Sequence, residues 1–311
     1  MTMKIATVGV HVLDVHVIGV ESVPRGSEGQ LVDTIRFSAA GTAGGTALVL
    51  SRLGAEVLGF GAVGADPIGA TLLALLGREG VDTTGLVRRG EQQTSASVIP
   101  VRPNGDRPAW HCLGANATFT LDDLDLAALD GITHLHLGGP EFLGGEAAAK
   151  LLAHARSLGA TTSLDLLAPG DPGLLEWVAD ALPQTDYLLP NDEQVLGFTG
   201  AASLAEGARA LVAAGAGCVA VTQGARGALV VTADDEVEVP AYDVEVVDTT
   251  GCGDAFSAGF LRGLSLGRDL RGAAELGCAV AAQVAGGLGT DAGAYSLASV
   301  EGFLAATPTR R

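Results

Sequence analysis

Short apolar runs recur along this chain with longer, helically spaced segments between them, and that alternation restricts it to few folds. The runs "KIATVGV", "EVLGFGAV", "HLHL", "TTSLDL", "YLLP", "CVAVT" and "ALVVT" are short and apolar, alternating with longer helical patterns, so they predict strands. The spacing in "TALVLSRLG", "IGATLLALLGREG", "GEAAAKLLAHARSLG" and "SLAEGARALVAAG" predicts helices, as does the segment after residue 251. Strands that alternate with helices build βα units, and so a mostly parallel sheet covered on both faces. Two stretches break the rhythm. Residues 11–37 and 93–117 read as antiparallel strands joined by polar turns, with "PNGD" at 103–106 as a hairpin turn. The expected organisation is an α/β core of residues 1–10, 38–92 and 118–311, beside a small β flap of residues 11–37 and 93–117.

Charge removes several classes of partner. Thirty-six acidic against 18 basic residues give a net charge of −18, and the basic residues form no stripe, which argues against nucleic acid or an anionic membrane surface. No apolar run is long enough to span a bilayer, and "MTMKIATVGV" reads as a first strand and not a signal peptide. Cys112, Cys218, Cys252 and Cys278 are far apart and form no CxxC pair, so reduced thiols in a cytoplasmic protein are expected. The only lysines are Lys4 and Lys150, and no GxxxxGK[ST] is present, which excludes a P-loop mechanism.

The stretch "DTTGCGDAF", Asp248 to Phe256, joins a β-branched segment to a helical one through two glycines. A glycine corner feeding a helix leaves the N–H groups of Gly251, Cys252, Gly253 and Asp254 unpaired at the positive end of the helix dipole, a place suited to an anion. An aspartate in a first turn has an ordinary reading, since acidic residues favour helix N-termini. Beside an anion cradle it has a second: phosphoryl transfer to a hydroxyl needs a carboxylate base next to such a cradle.

Here the chain resembles a known family. "DTTGCGDAFSAGFL" resembles the second signature of the PfkB carbohydrate kinases, the ribokinase-like family, with Cys252 where alanine is commoner. "AGTAGGTALVLSRLGAEVLGFGAVGADPIGATLLALLGREGVDTTGL" is similar to the first signature region, "LLPNDEQVLGFTG" to the NxxE segment, and "VTQGARGALVV" to the TxGxxG nucleotide loop. The resemblance implies a three-layer α/β/α ribokinase-like core with a β flap closing over the substrate site. It implies ATP-dependent phosphorylation of a primary hydroxyl of a sugar, assisted by Mg2+ and activated by K+. By the same resemblance Asp254 is the base, and Gly251, Cys252, Gly253 and Asp254 form the anion hole. Thr222, Gly224 and Gly227 line the nucleotide. Asn191 opens the NxxE segment, and Gln194 stands where a magnesium-water contact falls. Asp14 and Gly41 hold and underlie the sugar, and Asn116 faces it from the flap edge. Asp248 and Thr250, with backbone oxygens of residues 284–293, form the monovalent-cation site. A homodimer through the flap is expected.

The departures concern the acceptor. Val12, Gly45 and Gly138 replace polar residues at positions that contact the sugar in ribokinases, and the expectation is a roomier, less polar pocket in which free ribose is a poor substrate. Glu141 and His136 either replace a lost contact or are ordinary loop and strand-end residues. Trp110 and His111 either stack on substrate or pack at a flap–flap contact. The "HLH" of residues 134–136 reads as structural, and Cys252 has no adjacent base to make it a nucleophile. A nucleoside kinase of the same family is the alternative, and a non-catalytic sugar or nucleotide sensor is a further one. A nicotinamide dehydrogenase is disfavoured because the early glycines do not form GxGxxG.

Overall fold

The structure, a computed structural model, describes residues 3–102 and 107–310; the predicted "PNGD" turn lies outside the described residues. Thirteen strands are formed among the described residues. The first seven are β1 (Lys4–Gly9), β2 (Val12–Ile18), β3 (Thr34–Ala40), β4 (Glu56–Gly64), β5 (Asp82–Arg89), β6 (Ala96–Val101) and β7 (Trp110–Cys112). The rest are β8 (His134–Gly138), β9 (Thr161–Asp165), β10 (Tyr187–Leu188), β11 (Cys218–Thr222), β12 (Ala228–Val231) and β13 (Glu236–Val239).

Nine strands make one sheet in the order β13-β12-β11-β10-β9-β8-β1-β4-β5. Every pairing from β11 through to β5 is parallel, and the last two strands at the other edge run antiparallel. Parallel strands such as β1, β4 and β11 are largely apolar because both faces are covered. Side-chain alternation divides them between two cores. Ile5, Val57, Cys218, Ala220, Ala228 and Val230 enter one core, with the helices Gly44–Arg52, Cys252–Ser265 and Leu270–Ala285. Ala6, Val8, Val219, Val221, Leu229 and Val231 enter the other, with Gly145–Ser157 and Leu204–Ala213. This is the expected three-layer α/β/α arrangement. Two strands escaped the pattern reading. Asp82–Arg89 is a largely solvated edge strand, and Glu236–Val239 alternates charge with valine on the opposite edge.

A second sheet of four strands, in the order β3-β2-β6-β7, stands beside the first. Its outer pairs are antiparallel as expected, but β2 and β6 pair in parallel, Asp14 opposite Ser97. Both strands leave the core in the same direction, and so they meet side by side. Asp66 ties this sheet to the core: its carboxylate accepts from Gly69 N at 2.7 Å, capping the helix Pro67–Arg78, and from Thr94 N at 2.8 Å. No described helix is long and apolar enough to cross a membrane.

Phe260 is fully buried on the helix Cys252–Ser265, 6.0 Å from Phe256 and edge-on to Tyr187 at 5.8 Å between ring centroids. Phe260→Ala is expected to lower unfolding free energy by about 3–5 kcal/mol in urea titrations. A loss within experimental error would show that this contact does not anchor the helix.

Candidate active site

Strand ends supply the site. The parallel strands β1, β8, β9 and β11 all finish at one edge of the large sheet, at Gly9, Gly138, Asp165 and Thr222. That edge is where open α/β sheets leave a crevice. The helix Cys252–Ser265 begins beside it, with Gly251 as its N-cap at φ 77°. A Cβ at Gly251 would lie 2.2 Å from Thr290 Oγ1, so the corner tolerates only glycine in both conformation and space. At Gly253 a Cβ would meet nothing within 4 Å, which leaves the first turn approachable, but the Cys252 N–H expected to be unpaired donates to Thr249 O at 3.2 Å.

A pocket of about 450 Å³ opens in front of this corner, walled by Asp14, Gly41, Ser97, His111, Asn116 and Asp254, among others. Gly41 has φ 92°, and a Cβ there would stand 2.5 Å from Val10 O. Asp14, buried on β2, has its carboxyl raised above the ordinary range by burial, against the opposing bond from Ser97. Asp254 is raised well above it by burial, then by the nearby charges of Asp165 and Asp14. Asp165, at the end of β9, is itself pushed up to about 8 by burial, with its Oδ2 accepting from Ser257 Oγ at 3.2 Å. Sequence reading missed Asp165; an acidic residue closing a buried parallel strand was the available signal. Thr42 and Thr290 also line the pocket, and their buried hydroxyls have no partner among the described residues.

Asp248 is treated oppositely. It is 2 % exposed, and burial alone would raise it. The N–H groups of Thr250 and Gly289, the Thr250 hydroxyl and the Arg107 guanidinium outweigh that and hold it low. Arg107 Nη1 lies 2.5 Å from Asp248 Oδ1 and 2.8 Å from Thr250 Oγ1, and Nη2 donates to Thr249 Oγ1. The loop of residues 284–293 is held in turn by Arg36, which donates to Leu288 O and to Asp291 Oδ1 at 2.9 Å. The side chains expected to hold a monovalent cation thus hold a guanidinium.

The remaining expected residues fall into place unevenly. Thr222 ends β11 beside Asn191, and the Gly224–Arg226 turn closes with Gln223 N on Gly227 O at 2.8 Å. Gly227 has φ 100°, and Gly224 has open space where a Cβ would be. Gln194, expected at a magnesium-water contact, has its amide engaged within the protein. Its Oε1 accepts from Asn191 N at 2.9 Å and its Nε2 donates to Leu166 O and Ala168 O, so the amide serves a capping box. Asn116 lines the pocket, but its Oδ1 and Nδ2 pin the peptide of His11 at 3.3 and 2.9 Å.

Gly45 and Gly138 do not enlarge the pocket. A Cβ at Gly45 would come within 2.2 Å of Asp254 Oδ2, and one at Gly138 within 2.5 Å of Ala43 N. Val12 is the one departure among the three that lines the cavity. Trp110 is 57 % exposed on the far side, whereas His111 faces inward with Nδ1 2.9 Å from Ser97 Oγ. His134 and His136 are buried and held neutral, lowered to about 3 and about 4 by burial, with their ring nitrogens on Ser163, Thr161 and Thr42. Glu141 Oε1 accepts from Leu167 N and Ala168 N, a loop brace. Cys252, despite its helix N-terminus, is pushed up to about 12 by burial and Asp248, and is an inert thiol.

Comparison with known proteins agrees with this geometry. An uncharacterized sugar kinase of Archaeoglobus fulgidus is 33% identical over 237 residues, 75% of this chain and 93% of its own length. The deoxyribokinase of Salmonella typhi is 27% identical over 310 residues, 97% of each chain. The solved Arabidopsis thaliana ribokinase, complexed with ribose and ATP, superposes with a TM-score of 0.82 over 98% of this chain and 99% of its own, at 21% identity. A family model described as "pfkB family carbohydrate kinase" matches residues 4–296, from the first strand to the loop beyond the second signature, and the chain belongs to that family of carbohydrate kinases.

Proposed function

We propose that this kinase transfers the γ-phosphoryl group of ATP to a primary hydroxyl of a sugar, with Asp254 as general base. The observation that carries the reading is Asp254 itself: a raised carboxylate on the pocket wall, in the first turn of a helix whose glycine corner leaves N–H groups approachable. The acceptor O–H gives its proton to Asp254 as its oxygen attacks the γ-phosphorus, and the β–γ bridging oxygen departs with ADP. Charge developing on the transferred phosphoryl would meet the N–H groups of Gly251, Gly253 and Asp254, since that of Cys252 donates to Thr249 O at 3.2 Å. Asp14 and the unpartnered hydroxyls of Thr42 and Thr290 suit a polyhydroxylated acceptor. Thr222, Gly224 and Gly227 would line the nucleotide, consistent with their strand-end turn. Magnesium would arrive on the phosphates and neutralise their charge, since no cluster of three His, Cys, Asp or Glu among the described residues could hold a metal. No role is given to potassium. Residues 11–37 and 93–117 would act as a flap over the acceptor.

A nucleoside acceptor is the second reading, favoured by the size of the cavity and by Val12, Cys112 and Leu113 on its small-sheet side. A homodimer through the small sheet is supported by one apolar row across all four strands. Phe37, Val15, Val98 and Trp110 are in register, and Phe37, Val98 and Trp110 are 49 %, 39 % and 57 % exposed.

ADP release over a panel of pentoses, hexoses, sugar acids and nucleosides tests the reaction. Asp254→Asn is expected to cut kcat by about 10²–10⁴-fold with ATP affinity nearly unchanged; near-normal turnover would remove Asp254 from the chemistry. The base works only deprotonated, so kcat/KM is expected to fall as pH drops through the raised pKa of Asp254, at higher pH than an ordinary aspartate would dictate. Asp165→Asn removes one of the charges that raise it and should move that acid limb to lower pH; an unmoved or upward limb contradicts the assignment. For the dimer, sedimentation of Trp110→Glu should give monomers where the wild type gives dimers, and an unchanged profile places the interface elsewhere.

A further inference from the structure

We propose that Arg107 is a built-in monovalent cation for the anion corner, delivered by the small sheet, so that turnover does not depend on potassium. The proposal rests on the phosphoryl-transfer reading. Asp248 is a buried carboxylate two residues before Thr250 and three before the Gly251 corner. A negative charge so close to the place where phosphate charge develops needs a compensating positive one. Two groups among the described residues lie within ion-pair distance of it, Arg107 and His16. His16 is buried, its Nε2 engaged with Ser38 Oγ, and burial keeps it neutral. Arg107 carries a charge that is not lost in proteins.

The side-chain oxygens around this position already accept hydrogen bonds. Asp248 Oδ1 accepts from Arg107 Nη1, Thr250 N and Thr250 Oγ1, and Oδ2 accepts from Gly289 N. The Thr250 and Thr249 hydroxyls accept from the same guanidinium, and Leu288 O accepts from Arg36. A free cation needs lone pairs converging on it; here N–H donors converge on the lone pairs instead. The residues present therefore do not fit a free potassium ion. A planar guanidinium, with several donors in one fork, matches three oxygens at once.

Its origin matters as much as its charge. Arg107 lies in the segment entering β7, which pairs with β6 in the small sheet. A dissolved ion reaches the corner independently of that sheet. Arg107 reaches it only with the sheet in this position, so the charge that balances Asp248 is coupled to the wall of the acceptor pocket.

The test measures ADP release in KCl, NaCl and tetramethylammonium chloride at one ionic strength for wild type, Arg107→Ala and Arg107→Met. Melting temperatures of the same proteins are recorded without substrate. Wild-type rates are expected to agree across the three salts to within about twofold, because salts matched in ionic strength screen alike. Arg107→Ala is expected to lose about 10²-fold in kcat in tetramethylammonium. Potassium, or dilute guanidinium chloride, is expected to restore about tenfold or more, and potassium to raise the melting temperature of the variants but not of the wild type. The methionine variant keeps the side-chain bulk, so it answers the question should the alanine variant unfold. A wild type activated by potassium overturns the proposal, as do folded variants that potassium neither rescues nor stabilises. A wild type that phosphorylates no acceptor refutes the phosphoryl-transfer reading, and the melting comparison still decides what occupies the position.

Discussion

The site depends on two helices touching backbone to backbone. Helix Cys252–Ser265 and helix Leu270–Ala285 approach so closely that a Cβ at Gly259 would lie 2.8 Å from Gly277 Cα, and one at Gly263 would lie 2.7 Å from Ala273 Cα. Phe256 fills the space that a side chain at Gly277 would need. Small residues forgo some burial and helix propensity to allow this approach. In return the first turn, and Asp254 with it, is fixed against the sheet edge. A shift of the helix would carry the corner away from Thr290 and Asp254 away from Gly45, both of which sit at contact distance. The positions of anion corner and carboxylate are therefore consequences of core packing.

Within that frame, two aspartates six residues apart are pushed in opposite directions. Asp254 is desolvated and has acidic neighbours, and its proton is held tightly; Asp248 has four donors, and its charge is held tightly. Such divergence would let one site use the same residue type as a proton acceptor and as a fixed charge. The chain as a whole is strongly acidic, so the arginines that reach this region are used locally. Arg107 and Arg36 rise from the small sheet to the two loops flanking the corner, and Arg52 donates to Asp291 O, Ala292 O and Gly293 O behind them.

The fold was legible because short apolar runs and helical spacing survive without knowledge of neighbours. "CVAVT" and "ALVVT" show it best: almost wholly apolar, they are buried on both faces, and their residues alternate strictly between the two cores. The solvated edge strand Asp82–Arg89 was illegible because nothing buries one of its faces fully. The parallel pairing of β2 with β6 was illegible too, since it reflects how two distant segments leave the core. At the site, the glycine corner could be read from its residues, and the capping role of Gln194 could have been, from Asn three positions ahead of it. The guanidinium on Asp248 could not. Arg107 is 141 residues away, in a segment with no signature of its own, and only the folded geometry brings the two together.

The two glycines that seemed to leave the pocket bare show what sequence comparison by position omits. A missing side chain leaves a hole only if nothing else moves in. At Gly45 the carboxylate of Asp254 takes the space, and at Gly138 the backbone of Thr42 and Ala43 does. Neither glycine therefore opens space, and the pocket volume is shaped elsewhere. The apolar residues that border that volume come from both sides: Val12, Cys112 and Leu113 from the small sheet or its immediate edge, and Val10, Phe142 and Leu167 from the large-sheet side. The large sheet and its helices present the corner and the carboxylate. The small sheet presents part of the pocket wall, together with the arginine that pairs with Asp248, so that a change in this part of the wall also bears on the charge balance of the corner.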